Sequence, residues 1–351
     1  MNNLKPLLEP FQLNSEIRLK NRIVMAPMTR NMANNDLSPT QDMATYYQRR
    51  ANAGLIITEG TIIRPDGRGY SNVPAIYTKE HIRGWQKVTD AVHSRAGHIF
   101  LQIWHVGRVS HPYYLDGELP VSASATTMTG KLRRSEDLSY GKTRQLELSE
   151  MPALITSFAT AAANAINAGF DGVEIHGANG YLIDQFLHYH TNQRTDKYGT
   201  SPENMARFAL EVVKACGERI GYQRVGIRLS PGGYLNEIIG DPRDAEVFAY
   251  LLEQLNQLPI AYVHTGNFDD TVKFPELGDK TMTQFIRQHY HGTLIACGGY
   301  NPAEVATNLS ESDYDLVAIG RPFIANPDLI EKLQKNESIR SYEANMLETL
   351  Y

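Results

Sequence analysis

Cysteine is nearly missing from this chain: Cys216 and Cys297 are the only two in 351 residues, each inside an apolar stretch. Two thiols cannot assemble a disulfide framework or a four-thiolate iron–sulfur site within one chain. A reducing, cytoplasmic setting is therefore expected. Also missing is any apolar run near the ~20 residues needed to span a bilayer, and the start, Met1-Asn2-Asn3-Leu4-Lys5-Pro6, lacks the apolar centre of a secretory leader. The expected protein is soluble, with no membrane partner. No block rich in Lys or Arg stands out: 34 Lys plus Arg face 39 Asp plus Glu, a net charge of −5. Nothing here could neutralise a row of phosphates, so no nucleic-acid partner is expected. Low-complexity segments are absent as well, which sets aside disordered and collagen-like classes.

What the chain has is enough apolar material, 42% of its residues, to bury a sizeable core in one large domain or two small ones. Eight short runs rich in Val, Ile and Leu read as strands: Arg22 to Met28, Leu55 to Gly60, His98 to Trp104, Gly172 to His176, Val225 to Ser230, Ala261 to Gly266, Leu294 to Gly298 and Leu316 to Gly320. They mostly do not alternate, as befits parallel strands buried on both faces. Helical segments lie between them. Ser201-Pro202-Glu203 combines a capping serine, a first-turn proline and an acid at the positive helix end, opening a pattern that runs to Gly217. Ser149-Glu150 opens another that closes at Gly169.

Strands and helices alternating without a composition break predict an α/β fold, a (β/α)8 TIM barrel spanning residues 1–351 as a single domain. Such a barrel needs ~250 residues, which leaves about a hundred for additions. Phe11 to Lys20 alternates around a polar Asn14-Ser15 turn, predicting a hairpin that closes the amino-terminal end. The stretch 105–147 after strand three, rich in Ser, Thr, Gly and Tyr, predicts an insertion acting as a lid or pocket wall.

Carboxyl ends of barrel strands carry the chemistry. Here they supply Ala26-Pro27-Met28-Thr29, Glu59-Gly60, Gln102 to His105, His176 with Asn179 and Tyr181, Arg228, His264 to Gly266, Gly298-Gly299 and Gly320-Arg321. Gln102 offers an amide that can meet both edges of a heterocycle, Thr29 a hydroxyl and Arg228 a permanent charge. The glycines after strands seven and eight, with Arg321, mark the corner where barrels of this kind hold phosphate. His176, Asn179 and Tyr181 together can aim two hydrogen-bond donors and a proton donor at one small substrate. Each has a structural alternative: a buried barrel histidine, an arginine paired to a loop carboxylate, a glycine pair in a tight turn. Trp104 and Tyr70 read as pocket-wall or substrate contacts, and His105 and His264 as supporting residues. Few carboxylates among the strand ends argue against a metal site.

Longer strings carry a resemblance. Ala-Pro-Met-Thr-Arg at 26–30, Leu-Gln-Ile-Trp-His-Val-Gly-Arg-Val-Ser-His at 101–111 and Gly-Phe-Asp-Gly-Val-Glu-Ile-His-Gly-Ala-Asn-Gly-Tyr-Leu-Ile-Asp-Gln-Phe-Leu at 169–187 are similar to the old yellow enzyme family of flavin-dependent ene reductases. Thr-Asn-Gln-Arg-Thr-Asp-Lys-Tyr-Gly at 191–199 and Ile-Gly-Arg-Pro-Phe-Ile-Ala-Asn-Pro-Asp-Leu at 319–329 extend it from about Leu4 to Leu333. The resemblance implies FMN at the top of the barrel, reduced by NADH or NADPH and reoxidised by an activated alkene such as an α,β-unsaturated carbonyl compound or a maleimide, with reduction of nitro compounds left open. Pro27, Met28 and Thr29 would line the flavin, and Gly60 would leave room for its ring. Gln102 would bond the pyrimidine portion, Arg228 would sit by the N1 and O2 side, and Gly298, Gly299, Gly320 and Arg321 would hold the phosphate. His176 and Asn179 would bind the substrate's carbonyl oxygen and Tyr181 would give the proton. Thr29, where one branch of the family carries cysteine, points to the threonine branch. A monomer or homodimer is expected.

Two departures from the family pattern bear on the pocket. Ser230-Pro231-Gly232-Gly233-Tyr234 lacks the bulky residue that relatives often carry after the proline, which predicts a more open pocket there. The carboxyl end lacks the glycine-rich, tyrosine-containing tail of many relatives, leaving Tyr342 and Tyr351 as candidates for an aromatic wall. Two other classes stay open: a phosphate-binding barrel lyase or isomerase, although no strand end supplies a Schiff-base lysine, and a flavin-binding protein without turnover.

Overall fold

Every residue of the eight barrel strands is buried, as strands covered on both faces must be. In the computed structural model, which describes residues 4–132, 137–301 and 314–351, the strands are Ile23–Met25, Leu55–Ile57, Ile99–Trp104, Gly172–Gly177, Val225–Leu229, Tyr262–Thr265, Leu294–Cys297 and Leu316–Ile319. Each runs parallel to the next, and the eighth pairs with the first through Ile319 and Met25, closing the barrel. The first strand stops at Met25 rather than Met28, because Pro27 has no N–H to continue a ladder. Ala26 to Thr29 are thereby freed as loop at the carboxyl-terminal mouth.

The hairpin lies where the sequence places it, Phe11–Gln12 against Arg18–Leu19. Its Leu13, Ile17 and Leu19 share one apolar cluster with Val24, Leu55, Phe100, Ile295 and Leu316 of the barrel interior, so it plugs the amino-terminal end. A larger apolar layer lies between the strands and the outer helices. The helix Pro202–Ile220 starts as its sequence dictates, with Ser201 Oγ accepting the Asn204 N–H, and ends at Gly221, whose φ of +92° suits glycine. It runs past Gly217, where the Tyr222 ring lies 2.3 Å from where a Cβ would stand. The helix Met151–Asn167 begins after Glu150 with no side-chain cap, so Ser149 does not cap it.

The insertion after the third strand packs rather than hangs. Val121–Ser122 pairs in parallel with Arg144–Gln145, and Arg108 is bonded to the Asn236 and Glu237 carbonyls at 2.9 and 3.0 Å. Among the described residues no helix is long and apolar enough to cross a membrane.

Candidate active site

Four aromatic side chains meet at the barrel mouth. Trp104, at the end of the third strand, stacks between Tyr70 and His176, with ring centroids 5.6 and 5.9 Å away and interplanar angles of 23° and 22°. Tyr181 stands edge-on to Trp104 at 4.7 Å and to His176 at 5.0 Å, both within the preferred range for aromatic pairs. Its hydroxyl lies 3.0 Å from that of Tyr70. The His176 imidazole makes no hydrogen bond among the described residues, and its Nδ1 is sealed from solvent. A bare acceptor costs less than a stranded N–H, so the proton belongs on Nε2, where a ligand oxygen can meet it. Burial, with Arg228 and His264 nearby, pushes the His176 pKa well below the usual histidine value and keeps the ring neutral.

Asn179 follows in a sharp loop at φ +62°, a conformation that asparagine tolerates better than most side chains. The Tyr234 hydroxyl donates to its Oδ1, and the Asn236 amide donates to its carbonyl at 2.8 Å.

A buried polar chain crosses the barrel beside this cluster. Gln102 Nε2 donates to Glu174 Oε1 at 2.8 Å, and His264 Nδ1 meets Glu174 Oε2 at 2.8 Å. Burial pulls the His264 pKa down, but the Glu174 carboxylate outweighs it and the net shift is upward. Glu174 is correspondingly shifted below the usual carboxylate range, His264 overcoming its burial. On the adjoining strand, Arg228 donates to Cys297 Sγ at 3.4 Å. Arg228 is level with His176 on one side and His264 on the other. Glu174 and Cys297 are functional candidates that the strand-end reading passed over, because one is internal to its strand and the other looks apolar.

Next to Arg228 opens a cavity of about 990 Å³, a size suited to a cofactor. Its wall includes Pro27, Met28, Asn179, Arg228, Gly299, Gly320 and Arg321. Among the described residues it carries three guanidinium groups, Arg228, Arg321 and Arg340, and no carboxylate, so an anion is the fitting occupant. Gly299, at φ +76°, is held close to its surroundings: an added Cβ would lie 3.1 Å from the Phe268 carbonyl oxygen and 3.9 Å from the Arg321 guanidinium. This donor set fits FMN, with Arg321, Arg340 and the Gly299 backbone suited to its phosphate and Arg228 to a planar ring's electron-rich edge. Arg340 and Tyr342 belong to the wall while Tyr351 does not. Tyr351 instead bonds Arg50 through its carbonyl at 2.7 Å and stacks under Arg49.

Thr29, Gly60, Gln102, Gly298, His176, Tyr181, Trp104 and Tyr70 are not in that wall. His176, Tyr181, Trp104 and Tyr70 make the aromatic cluster, which adjoins the cavity where Arg228 of its wall is in register with His176. Two glycines answer to the protein itself. An added Cβ on Gly60 would lie 2.3 Å from the Trp104 indole, and one on Gly298 would lie 2.4 Å from the Asp270 backbone nitrogen. The pocket after strand five is not opened by Gly232 either. The Phe274 ring occupies that space, 2.5 Å from where a Cβ would be.

Comparison with known proteins agrees with this geometry. The profile of the NADH:flavin oxidoreductase / NADH oxidase family matches residues 6–339. Putative 12-oxophytodienoate reductase 11 of Oryza sativa subsp. japonica is 39% identical over 358 residues, 100% of this chain and 95% of the relative. Morphinone reductase, solved in complex with tetrahydroNAD, superimposes with a TM-score of 0.88 at 40% identity, over 97% of this chain and 93% of its own. The old yellow enzyme homologue from Zymomonas mobilis gives a TM-score of 0.89 at 35% identity, over 97% and 96%. With its closed parallel barrel and arginine-lined cavity, this chain belongs to the NADH:flavin oxidoreductase / NADH oxidase family, the old yellow enzyme family, and is an NAD(P)H-dependent flavin oxidoreductase that uses FMN.

Proposed function

We propose that this protein reduces the carbon–carbon double bond of activated alkenes, above all α,β-unsaturated carbonyl compounds and maleimides. When bound, FMN supplies the redox chemistry, a hydride accepted from the nicotinamide and passed to the alkene's β-carbon. Negative charge then grows on the carbonyl oxygen. His176, kept neutral, and the Asn179 carboxamide donate N–H groups to that oxygen, and donors fixed in place before reaction stabilise the developing charge more than the ground state. Tyr181 delivers the proton to the α-carbon. A phenol suits this task because it stays protonated at neutral pH, with an ordinary pKa near 10. The hydroxyl of Tyr70, 3.0 Å from that of Tyr181, keeps the phenol in position.

The observation that carries this reading is the juxtaposition of a neutral, unbonded imidazole with a phenol, edge to face at 5.0 Å. A purely structural histidine in such a site would be expected to find a partner. Stopped-flow measurement of the two half-reactions in Tyr181→Phe tests it. Reduction by nicotinamide should stay near wild type, while oxidation by 2-cyclohexenone should slow by ~10²-fold or more. Equal slowing of both halves contradicts a proton-donor role.

A further inference from the structure

The Asn179 backbone is pinned from three sides. Its N–H donates to Ser230 Oγ at 3.1 Å, its carbonyl accepts from Asn236 at 2.8 Å, and the next residue, Gly180, donates to Asp184 Oδ2 at 2.7 Å. These backbone bonds leave open a half-turn of the carboxamide, which exchanges its oxygen and nitrogen. The choice decides function. With Oδ1 turned inward, the amide N–H groups face the cavity and a substrate oxygen; with Nδ2 inward, the cavity sees a carbonyl that repels that oxygen.

Two hydroxyls flank the inward atom. Ser230 Oγ lies 3.3 Å from Oδ1, but its single hydrogen is committed to the Gly266 carbonyl at 2.6 Å. Toward Asn179 it acts as an acceptor, and by itself it favours the inverted amide. The Tyr234 hydroxyl is the group that donates to Oδ1. Its ring is half-buried and set edge-on to Phe268 at 5.4 Å and 83°.

We propose that Tyr234 is a positioning residue whose hydroxyl proton fixes the Asn179 carboxamide with its N–H groups toward the substrate oxygen, against the opposite preference of Ser230. The proposal rests on the reading that Asn179 meets that oxygen. Removing the proton does more than delete one hydrogen bond: the amide turns to donate to Ser230 and presents its carbonyl to the substrate.

The test uses the FMN-loaded enzyme and 4-chlorophenol, whose phenolate oxygen stands in for the developing enolate, titrated by its long-wavelength absorbance. Tyr234→Phe, nearly isosteric, should raise the phenol Kd at least tenfold, about 1.4 kcal/mol, with FMN retained and the melting temperature little changed. In an Asn179→His background, where the side chain has no amide to invert, the same substitution should change Kd less than twofold. A Tyr234→Phe enzyme that binds the phenol like wild type, while Asn179→Ala binds it poorly, overturns the positioning role alone. Loss of equal size in the Asn179→His background also overturns it. Asn179→Ala with unchanged phenol affinity removes the underlying reading and the proposal together.

Discussion

Gly60→Ala places a methyl group inside Trp104. The new Cβ would lie 2.3, 2.8 and 2.9 Å from the indole Cε3, Cδ2 and Cζ3, against about 3.5–4.0 Å for carbon atoms in comfortable contact. Relief requires the ring to retreat by roughly 1 Å, yet Tyr70 and His176 cover its two faces at 5.6 and 5.9 Å and Tyr181 abuts it edge-on at 4.7 Å. Overpacking of this kind costs about 1–3 kcal/mol. In a chain of this length that lowers the melting temperature by a few degrees, and it displaces the His176 and Tyr181 rings. The assays are thermal melting, phenol titration and FMN fluorescence. Melting temperature should fall and phenol affinity weaken severalfold, with FMN affinity nearly kept, because Gly60 is not in the cavity wall. An enzyme of normal stability and phenol affinity that sheds FMN would refute the reasoning and return Gly60 to the cofactor.

Arg321→Ala removes one of three cavity guanidiniums. A charge-assisted bond is worth about 1.5–3 kcal/mol, so the FMN Kd should rise by ~10–150-fold in a fluorescence titration; unaltered affinity would place the phosphate elsewhere. His188 is buried between Asp184 and Asp244 at 3.4 and 2.8 Å. Burial opposes its charge, but the two carboxylates outweigh it and push its pKa up to about 10. A folded-state pKa above the unfolded one means its stabilisation is complete below pH ~6.5 and lost as pH rises toward 10. Melting temperature should fall across that window, and His188→Gln should flatten the fall; an identical slope counts against the assignment. Arg50→Ala strands the buried carbonyls of Tyr46 and Phe323, bonded at 2.8 and 2.9 Å, and releases the exposed Tyr351, whose main-chain oxygen it holds at 2.7 Å. A stability loss above about 3 kcal/mol in urea unfolding is expected, and a loss under 1 kcal/mol would contradict it.

The barrel was legible because each strand is buried on both faces, so its sequence is an unbroken apolar run, and because a hairpin or a capped helix writes its ends locally. Strand ends were legible for the same reason: His176, Arg228 and Gln102 follow directly from counting along a run. Pairings across the barrel were not. Glu174 sits in the middle of a strand, and its partner His264 is 90 residues away. A single chain gives no sign that Gly60 bends to Trp104 or that Phe274 fills the space above Gly232, since both reasons lie in distant side chains. Arg340 comes from an irregular segment with no periodicity to anchor it, and the choice of Tyr342 over Tyr351 for the wall was not legible for the same reason. Local rules place residues on elements; which atoms then meet depends on closure of the whole sheet.

Alkene reduction as proposed depends on a neutral imidazole and a carboxamide gripping an oxygen at the mouth of the cavity. Phenol titration of the FMN-loaded His176→Ala, Asn179→Ala double variant tests this most directly. A Kd at least a hundredfold above wild type, about 2.7 kcal/mol, with the flavin spectrum intact, is the predicted result. Wild-type affinity in that variant would contradict it.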